Sequence, residues 1–151
     1  MMPENLISNE YFMQQALEEA RKASARDEVP VGAVVVAGQQ IIARAHNLTE
    51  TLNDCTAHAE MQVITAAANH LGSKYLDQCT LYVTLEPCIM CAGAMFWSQL
   101  GKLVFGAADP KKGYQLYKVQ VLHPKTEVIM GILADKSESL LKEFFRKKRE
   151  V

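Results

Sequence analysis

Four side chains in two short stretches could do chemistry together. One stretch is Thr56-Ala57-His58-Ala59-Glu60 and the other is Glu86-Pro87-Cys88-Ile89-Met90-Cys91. An imidazole and two thiolates are the donors that zinc takes in a catalytic site, where three protein ligands leave the fourth tetrahedral position for water. Two thiolates also cancel the charge of a divalent ion, so such a site is neutral before its water ionises. Glu60 lies two residues from His58, close enough to share the site while staying off the metal. The residues therefore read as His58, Cys88 and Cys91 for one Zn2+ and Glu60 as the catalytic proton carrier. Two other accounts compete. A C-x-x-C alone can be a thiol redox pair, which gives His58 and Glu60 nothing to do. A closed structural zinc site needs a fourth ligand, which Cys55, Cys79 or His46 would have to supply.

Helix starts can present these groups. The run from His58 to Leu71 has helical character, so His58 and Glu60 fall in its first turn, where the helix N-terminus favours negative charge. Pro87 suits the entrance of a second helix over Cys88–Ser98, and Cys88 and Cys91 then share one face. Thiolates are favoured at such a position.

The rest of the chain supplies the frame. Ser8 or Asn9 can cap a first helix reaching about Ala25, with Phe12, Ala16 and Ala20 on its apolar face and Glu18, Glu19, Arg21 and Lys22 toward water. Val31–Val36, a turn at Ala37-Gly38, and Gln39–Ala45 read as a β-hairpin. A polar loop, His46–Cys55, leads to the metal-ligand helix, which Gly72 can end. Thr80–Thr84 and Lys102–Gly106 read as strands flanking the second helix, hence as parallel neighbours. Ala107–Pro124 is irregular and Glu127–Met130 can add a fifth strand. Asp135 and Glu138 resemble a capping box for a last helix striped by Leu140, Leu141, Phe144 and Phe145. The expectation is a single domain over residues 1–151, α/β in class, with a mixed five-stranded sheet in a three-layer α/β/α arrangement.

Composition narrows the setting. The 151 residues are 49% hydrophobic and 22% charged, ordinary for a globular chain large enough to bury a core. No apolar stretch reaches the length of a membrane span. Met1–Glu10 lacks the charged and apolar regions of a signal peptide, which points to the cytoplasm and to Cys55 and Cys79 as free thiols. Sixteen basic residues against seventeen acidic ones exclude a globally basic nucleic-acid binder and leave room for a local patch. Phe144-Phe145-Arg146-Lys147-Lys148-Arg149 is the best such patch, since cations beside aromatics suit phosphates and unstacked bases of RNA loops. The same run can equally end a helix, its cations complementing the dipole.

H-x-E followed by P-C-x-x-C is the signature of zinc-dependent base deaminases. The chain resembles that superfamily and, more closely, the bacterial tRNA adenosine deaminases. The matching runs are Glu28–Ala33, Thr56–Glu60, Leu81–Cys88, Met90–Ala94, Val104–Ala107 and the tail from Gly131 to Arg149. The resemblance implies a cytidine-deaminase-like fold, hydrolysis of adenosine to inosine at the wobble position of a tRNA anticodon loop, and a homodimer. It also implies Asn47 as a hydrogen-bond partner of the target base, although an asparagine there can simply be a turn residue. By the same resemblance Asp109 touches the target nucleotide at the pocket mouth, and Phe145 and Arg149 contact RNA. Lys111 and Lys112 could meet phosphates, or belong to a solvated loop. Met95, Phe96 and Trp97 are candidates for a dimer interface and equally for the core. His46 reads as a loop histidine, and Glu86 as structural in the turn before the cysteines. The chain departs from the family between Ala107 and Thr126, where Gly113-Tyr114-Gln115-Leu116-Tyr117 and Leu122–Thr126 replace a longer loop bordering the substrate. Tyr114 and Tyr117 read as packing residues there. Two other functions stay in play: a deaminase of a free base or nucleoside such as guanine or cytosine, and a non-enzymatic zinc-stabilised RNA-binding module. No membrane or DNA partner is expected.

Overall fold

Short β-branched runs and the helices between them assemble into one twisted sheet covered on both faces. The structure, a computed structural model, describes residues 4–150, with side chains from Asn9 to Glu150. The elements in chain order are α1 (Glu4–Ala25), β1 (Gly32–Ala37), β2 (Gln40–His46), α2 (Ala59–Leu71), β3 (Cys79–Leu85), α3 (Ile89–Trp97), β4 (Lys102–Ala107), a 3-10 turn (Tyr114–Leu116), β5 (Glu127–Met130) and α4 (Ala134–Arg149). The sheet order is β2-β1-β3-β4-β5. β1 runs antiparallel to β2 and β3, whereas β3, β4 and β5 are parallel. The sheet is mixed as expected, because the hairpin forces one reversal and the α3 crossover forces parallel neighbours.

Alternation along the strands splits the core in two. Ala33, Val35, Leu81, Val83, Leu103 and Phe105 pack with α2 and α3. Val34, Val36, Tyr82 and Val104 face the opposite way, against Phe12, Met13 and Ala16 of α1. This side also holds α4, whose Ser137 hydroxyl lies against Gly106. The three layers follow from side chains that point alternately to opposite faces.

Three local expectations need correction. α1 begins upstream of the expected cap; the side chain of Ser8 lies outside the described residues, and Asn9 is a buried helical residue whose Oδ1 accepts a bond from the Tyr82 hydroxyl at 2.8 Å. Glu19 is buried rather than facing water, held by Lys22 at 2.7 Å, His46 at 3.1 Å and Arg44 at 3.5 Å. α4 has Leu133 at its N-cap, in the left-handed region at φ 55, with no side-chain cap, so Asp135 sits inside the first turn. Gly72, by contrast, ends α2 as expected, at φ 63 with its amide bonded back to Asn69.

Candidate functional site: a metal-ligand triad at two helix starts

Each half of the site is the residue just before a helix. His58 is the N-cap of α2, extended at φ −72 and ψ 153, and Cys88 is the N-cap of α3 at φ −75 and ψ 173. Neither side chain caps its own helix; they turn toward each other instead. Pro87 explains the second start, because its fixed φ and missing N–H fit a helix entrance. The two helix starts meet at the same end of the sheet, α2 entering from the loop after β2 and α3 directly from the carboxyl end of β3. This is the usual ligand position in open α/β sheets.

The three expected ligand atoms converge. Nδ1 of His58 lies 3.6 Å from Sγ of Cys88 and 3.5 Å from Sγ of Cys91, and all three ligand atoms fall within 4.8 Å of one another. A tetrahedral ion bonded to sulfur at about 2.3 Å and to nitrogen at 2.0–2.1 Å holds S and N about 3.5 Å apart. The donor set and its spacing therefore fit a metal ion. Cys55 is exposed and lies outside this group, while Cys79 belongs to the buried core at the start of β3. Among the described residues no fourth His, Cys, Asp or Glu joins the triad, which favours an open site over a closed structural one.

Electrostatics agree with that arrangement. A hydrogen bond from the Cys91 thiol, opposed by burial and joined by His58, holds the Cys88 thiol down to about 4. The same hydrogen bond and burial push Cys91 far upward. Two thiols in one buried place cannot shed both protons alone; a divalent cation between them removes that obstacle. The Cys88 hydrogen bond raises His58, against the effect of burial. Glu60, in the first turn of α2 and only 4% exposed, is pushed up to about 7 by burial, although its own amide and His58 pull the other way.

These groups floor a cleft of ≈ 930 Å³ that also takes in Asn47, Thr49, Asp109, Lys111, Phe145 and Arg149. Every residue expected to touch substrate thus borders one cavity. Asn47 is 8% exposed; its amide bonds to Val31 O at 3.0 Å and its Nδ2 reaches Val29 O at 3.5 Å. Its Oδ1 is buried with no partner among the described residues, an acceptor facing a ligand-sized space. Asp109 also satisfies the turn reading, since its Oδ1 accepts the amides of Lys111 and Lys112 at 3.1 and 3.0 Å. Phe145 is 44% exposed at the rim, whereas Phe144 is buried and stacks edge-on against it. Of the tail cations, Lys148 pairs with Asp27 and Arg146 with Glu143 and Glu150, but Arg149 has no ion pair among the described residues.

Of the other positions, some differ from expectation and some agree. His46 closes β2 and is largely buried against Glu19, with Nε2 unpartnered among the described residues, instead of lying free in a loop. Tyr114 packs edge-on to Phe105 as a core residue, but Tyr117 is 51% exposed. Met95 is core, while Trp97 is 78% exposed. Two functional supports, Glu28 and Gln62, went unnoticed at the level of sequence, and a third, Glu86, was read only as part of its own turn. Glu28 is fully buried beneath the loop after β2. Glu86, rather than only shaping its own turn, reaches the loop after β4. Gln62 joins His46 O at 2.7 Å to Ala57 O at 3.2 Å, tying the end of β2 to the approach of α2. An acid before a proline motif, as in Glu28-Val29-Pro30 and Glu86-Pro87, is the one signal that could have drawn attention to these two glutamates.

Residues 7–149 match the family of MafB19-like deaminases. The chain belongs to that family. Among its relatives within these deaminases, the tRNA-specific adenosine deaminase of Bacillus subtilis (strain 168) is 46% identical over 150 residues, 96% of this chain and 93% of that protein. A solved tRNA:A34 deaminase, described as editing A to I at the wobble position of transfer RNA, superposes with a TM-score of 0.81 at 44% identity, over 87% of this chain and 99% of the other. The guanine deaminase of Bacillus subtilis superposes with a TM-score of 0.63 at 40% identity, over 66% of this chain and 64% of its own. The fold is thus shared by enzymes whose names carry different substrates: a guanine deaminase from Nitrosomonas europaea also covers 95% of this chain and 93% of its own, with a TM-score of 0.76 but at 25% identity, against 44–46% for the tRNA-named relatives above.

Proposed function

We propose that this deaminase hydrolyses adenosine to inosine at the wobble position of a tRNA anticodon, with zinc held by His58, Cys88 and Cys91. The observation that carries the reading is a buried carboxyl, Glu60, beside an open metal-ligand triad at the floor of a cleft large enough for a flipped nucleotide. When bound there, zinc supplies Lewis acidity, lowering the pKa of a water from about 15.7 toward 7.

The chain's own residues then do the following. Asn47 offers its unpartnered Oδ1 to an N–H of the base and so fixes the ring over the floor. Glu60 accepts the proton of the attacking water and delivers it to the ring nitrogen next to C6. Oxygen bonds to C6, Glu60 takes the second proton from that oxygen and passes it to the amine, and the C6–N bond breaks. Water is consumed and ammonia released, and Glu60 ends as it began. Burial that brings its pKa near neutrality suits a group that must both take and give protons. Asp109 and Lys111 border the nucleotide from the loop after β4, and Phe145 and Arg149 meet the RNA from the end of α4.

The whole cleft rim supports a macromolecular substrate. Lys111, Lys112, Lys142, Lys148 and Arg149 line one opening beside the exposed ring of Phe145. A free base would need none of them. Partner and place follow from the same reading: a second copy of the chain covering Trp97, and work in the cytoplasm, where tRNA is the substrate. Among the described residues no helix is long and apolar enough to cross a membrane.

Zinc-loaded protein given an adenosine-containing anticodon stem-loop should release ammonia and form inosine, and should leave adenosine, guanine and cytosine unchanged. Turnover of guanine with no action on the stem-loop would replace this reading by free-base deamination. Inactivity on every substrate, with a tightly bound metal saturated by four protein ligands, would replace it by an RNA-binding module.

A further inference from the structure

The cleft has two walls, and each hangs from one buried carboxylate. On one side is the loop after β2, which brings Asn47 and Thr49 to the cavity. Glu28, fully buried, accepts the amide of Glu50 at 3.1 Å through Oε1, and the amide and hydroxyl of Thr51, both at 2.6 Å, through Oε2. On the other side is the loop after β4, which brings Asp109, Lys111 and Lys112. Glu86, 5% exposed, accepts the amide of Asp109 through Oε1 and that of Gln115 through Oε2, each at 3.0 Å.

Both carboxylates stand on rigid ground. Glu28 precedes Val29 and Val31, whose carbonyls hold Asn47. Glu86 precedes Pro87, whose carbonyl accepts the amide of Tyr114 at 2.9 Å, and Gly113 lies so close to the Glu86 carboxyl that a Cβ would collide with it. An acceptor with two oxygens and no proton can take several N–H groups at once, whereas a side-chain amide would set a donor against one of them. Both Glu86 oxygens are held by loop amides, and the residue lines the cleft beside Cys88.

We infer that Glu28 and Glu86 are positioning residues that set the separation of the two cleft walls, and with it the fit of the target nucleotide between Asn47 and Asp109. The nature of that nucleotide rests on the function proposed above; the fastening of the walls does not. The test uses the zinc-loaded enzyme and its Glu28→Gln and Glu86→Gln variants, which change one atom type and almost no volume. Hydrogen exchange should accelerate about two- to tenfold, the worth of one net hydrogen bond, at Glu50 and Thr51 in the first variant. In the second it should do so at Asp109 and Gln115, each variant sparing the opposite wall. KM for the anticodon stem-loop should rise by a similar factor while kcat falls less than about twofold and metal content stays stoichiometric. Gly113→Ala, which crowds Glu86 out of place, should reproduce the second pattern.

Three results would overturn the inference: unchanged exchange in both glutamine variants, faster exchange with unchanged KM, or loss of metal and kcat at constant KM. If the wild-type enzyme ignores the stem-loop and turns over a free base, the tRNA reading fails. The exchange data, and KM for that base, then still decide whether the walls are fastened this way.

Discussion

Glu60 shows what burial does to an ordinary side chain. Two residues from His58, a candidate metal ligand, and almost wholly out of water, its carboxyl is pushed up to about 7. Glu60→Gln keeps the shape and removes the base, so metal content by elemental analysis should remain one per chain while kcat falls about a hundred- to ten-thousandfold. Glu28 obeys the opposite balance. Burial alone would raise it, but the Thr51 hydroxyl and the amides of Thr51 and Glu50 outweigh burial and leave its carboxyl below the ordinary value. The unfolded chain then binds the proton more readily, so this carboxylate stabilises the fold above the ordinary glutamate pKa of about 4.3, and that contribution disappears as the pH falls through the depressed value. Chemical denaturation across this range should show a shallower loss of stability toward acid in Glu28→Gln than in the wild type.

At the scale of elements, the site depends on how closely the layers approach. Gly32 opens β1 directly beneath α1, where a Cβ would run into the backbone of Ala16 and Ala20. Gly32→Ala forces helix and strand apart and should cost about 1–3 kcal/mol, read as a drop of about 2–12 °C in Tm. The strands, the two ligand-bearing helix starts and the Gly72 stop were legible in the sequence because their signals are local: alternation, a proline at a helix entrance, a glycine in left-handed backbone. The starts of α1 and α4 were not legible. Asn9 looks like a cap, but its bond to the Tyr82 hydroxyl, made possible only once α1 lies on the sheet, draws it into the helix. Asp135 and Glu138 have cap spacing, yet the chain enters α4 through Leu133 at positive φ.

For the whole molecule, two surfaces carry predictions. Trp97 stands 78% exposed at the end of α3, with Phe96 37% exposed and edge-on to it at 5.3 Å, while Met95 beside them is core. An aromatic pair so placed suits a second copy of the chain; Trp97→Arg should convert a dimer into a monomer by light scattering, leaving the monomer folded. On the proposed function, the cationic rim meets RNA. Arg149→Ala should weaken stem-loop binding and lower the slope of log K against log salt by about 1, because one phosphate contact releases about one counterion. Arg146→Ala should do neither, since its guanidinium is already engaged by Glu143 and Glu150.

Residue types and short spacings carried the chemical reading: His58, Glu60, Cys88 and Cys91 point to a metal, a proton carrier and a reaction class without coordinates. Their separation in the chain says nothing of the 3.5 Å between imidazole and sulfur, which exists only because β2 and β3, each antiparallel to β1, run the same way and bring the two helix starts to one end of the sheet. The sequence likewise presents Glu19, Glu28 and His46 as ordinary polar residues. Tertiary structure alone made them buried partners, since a charge leaves water only when the fold brings donors to meet it.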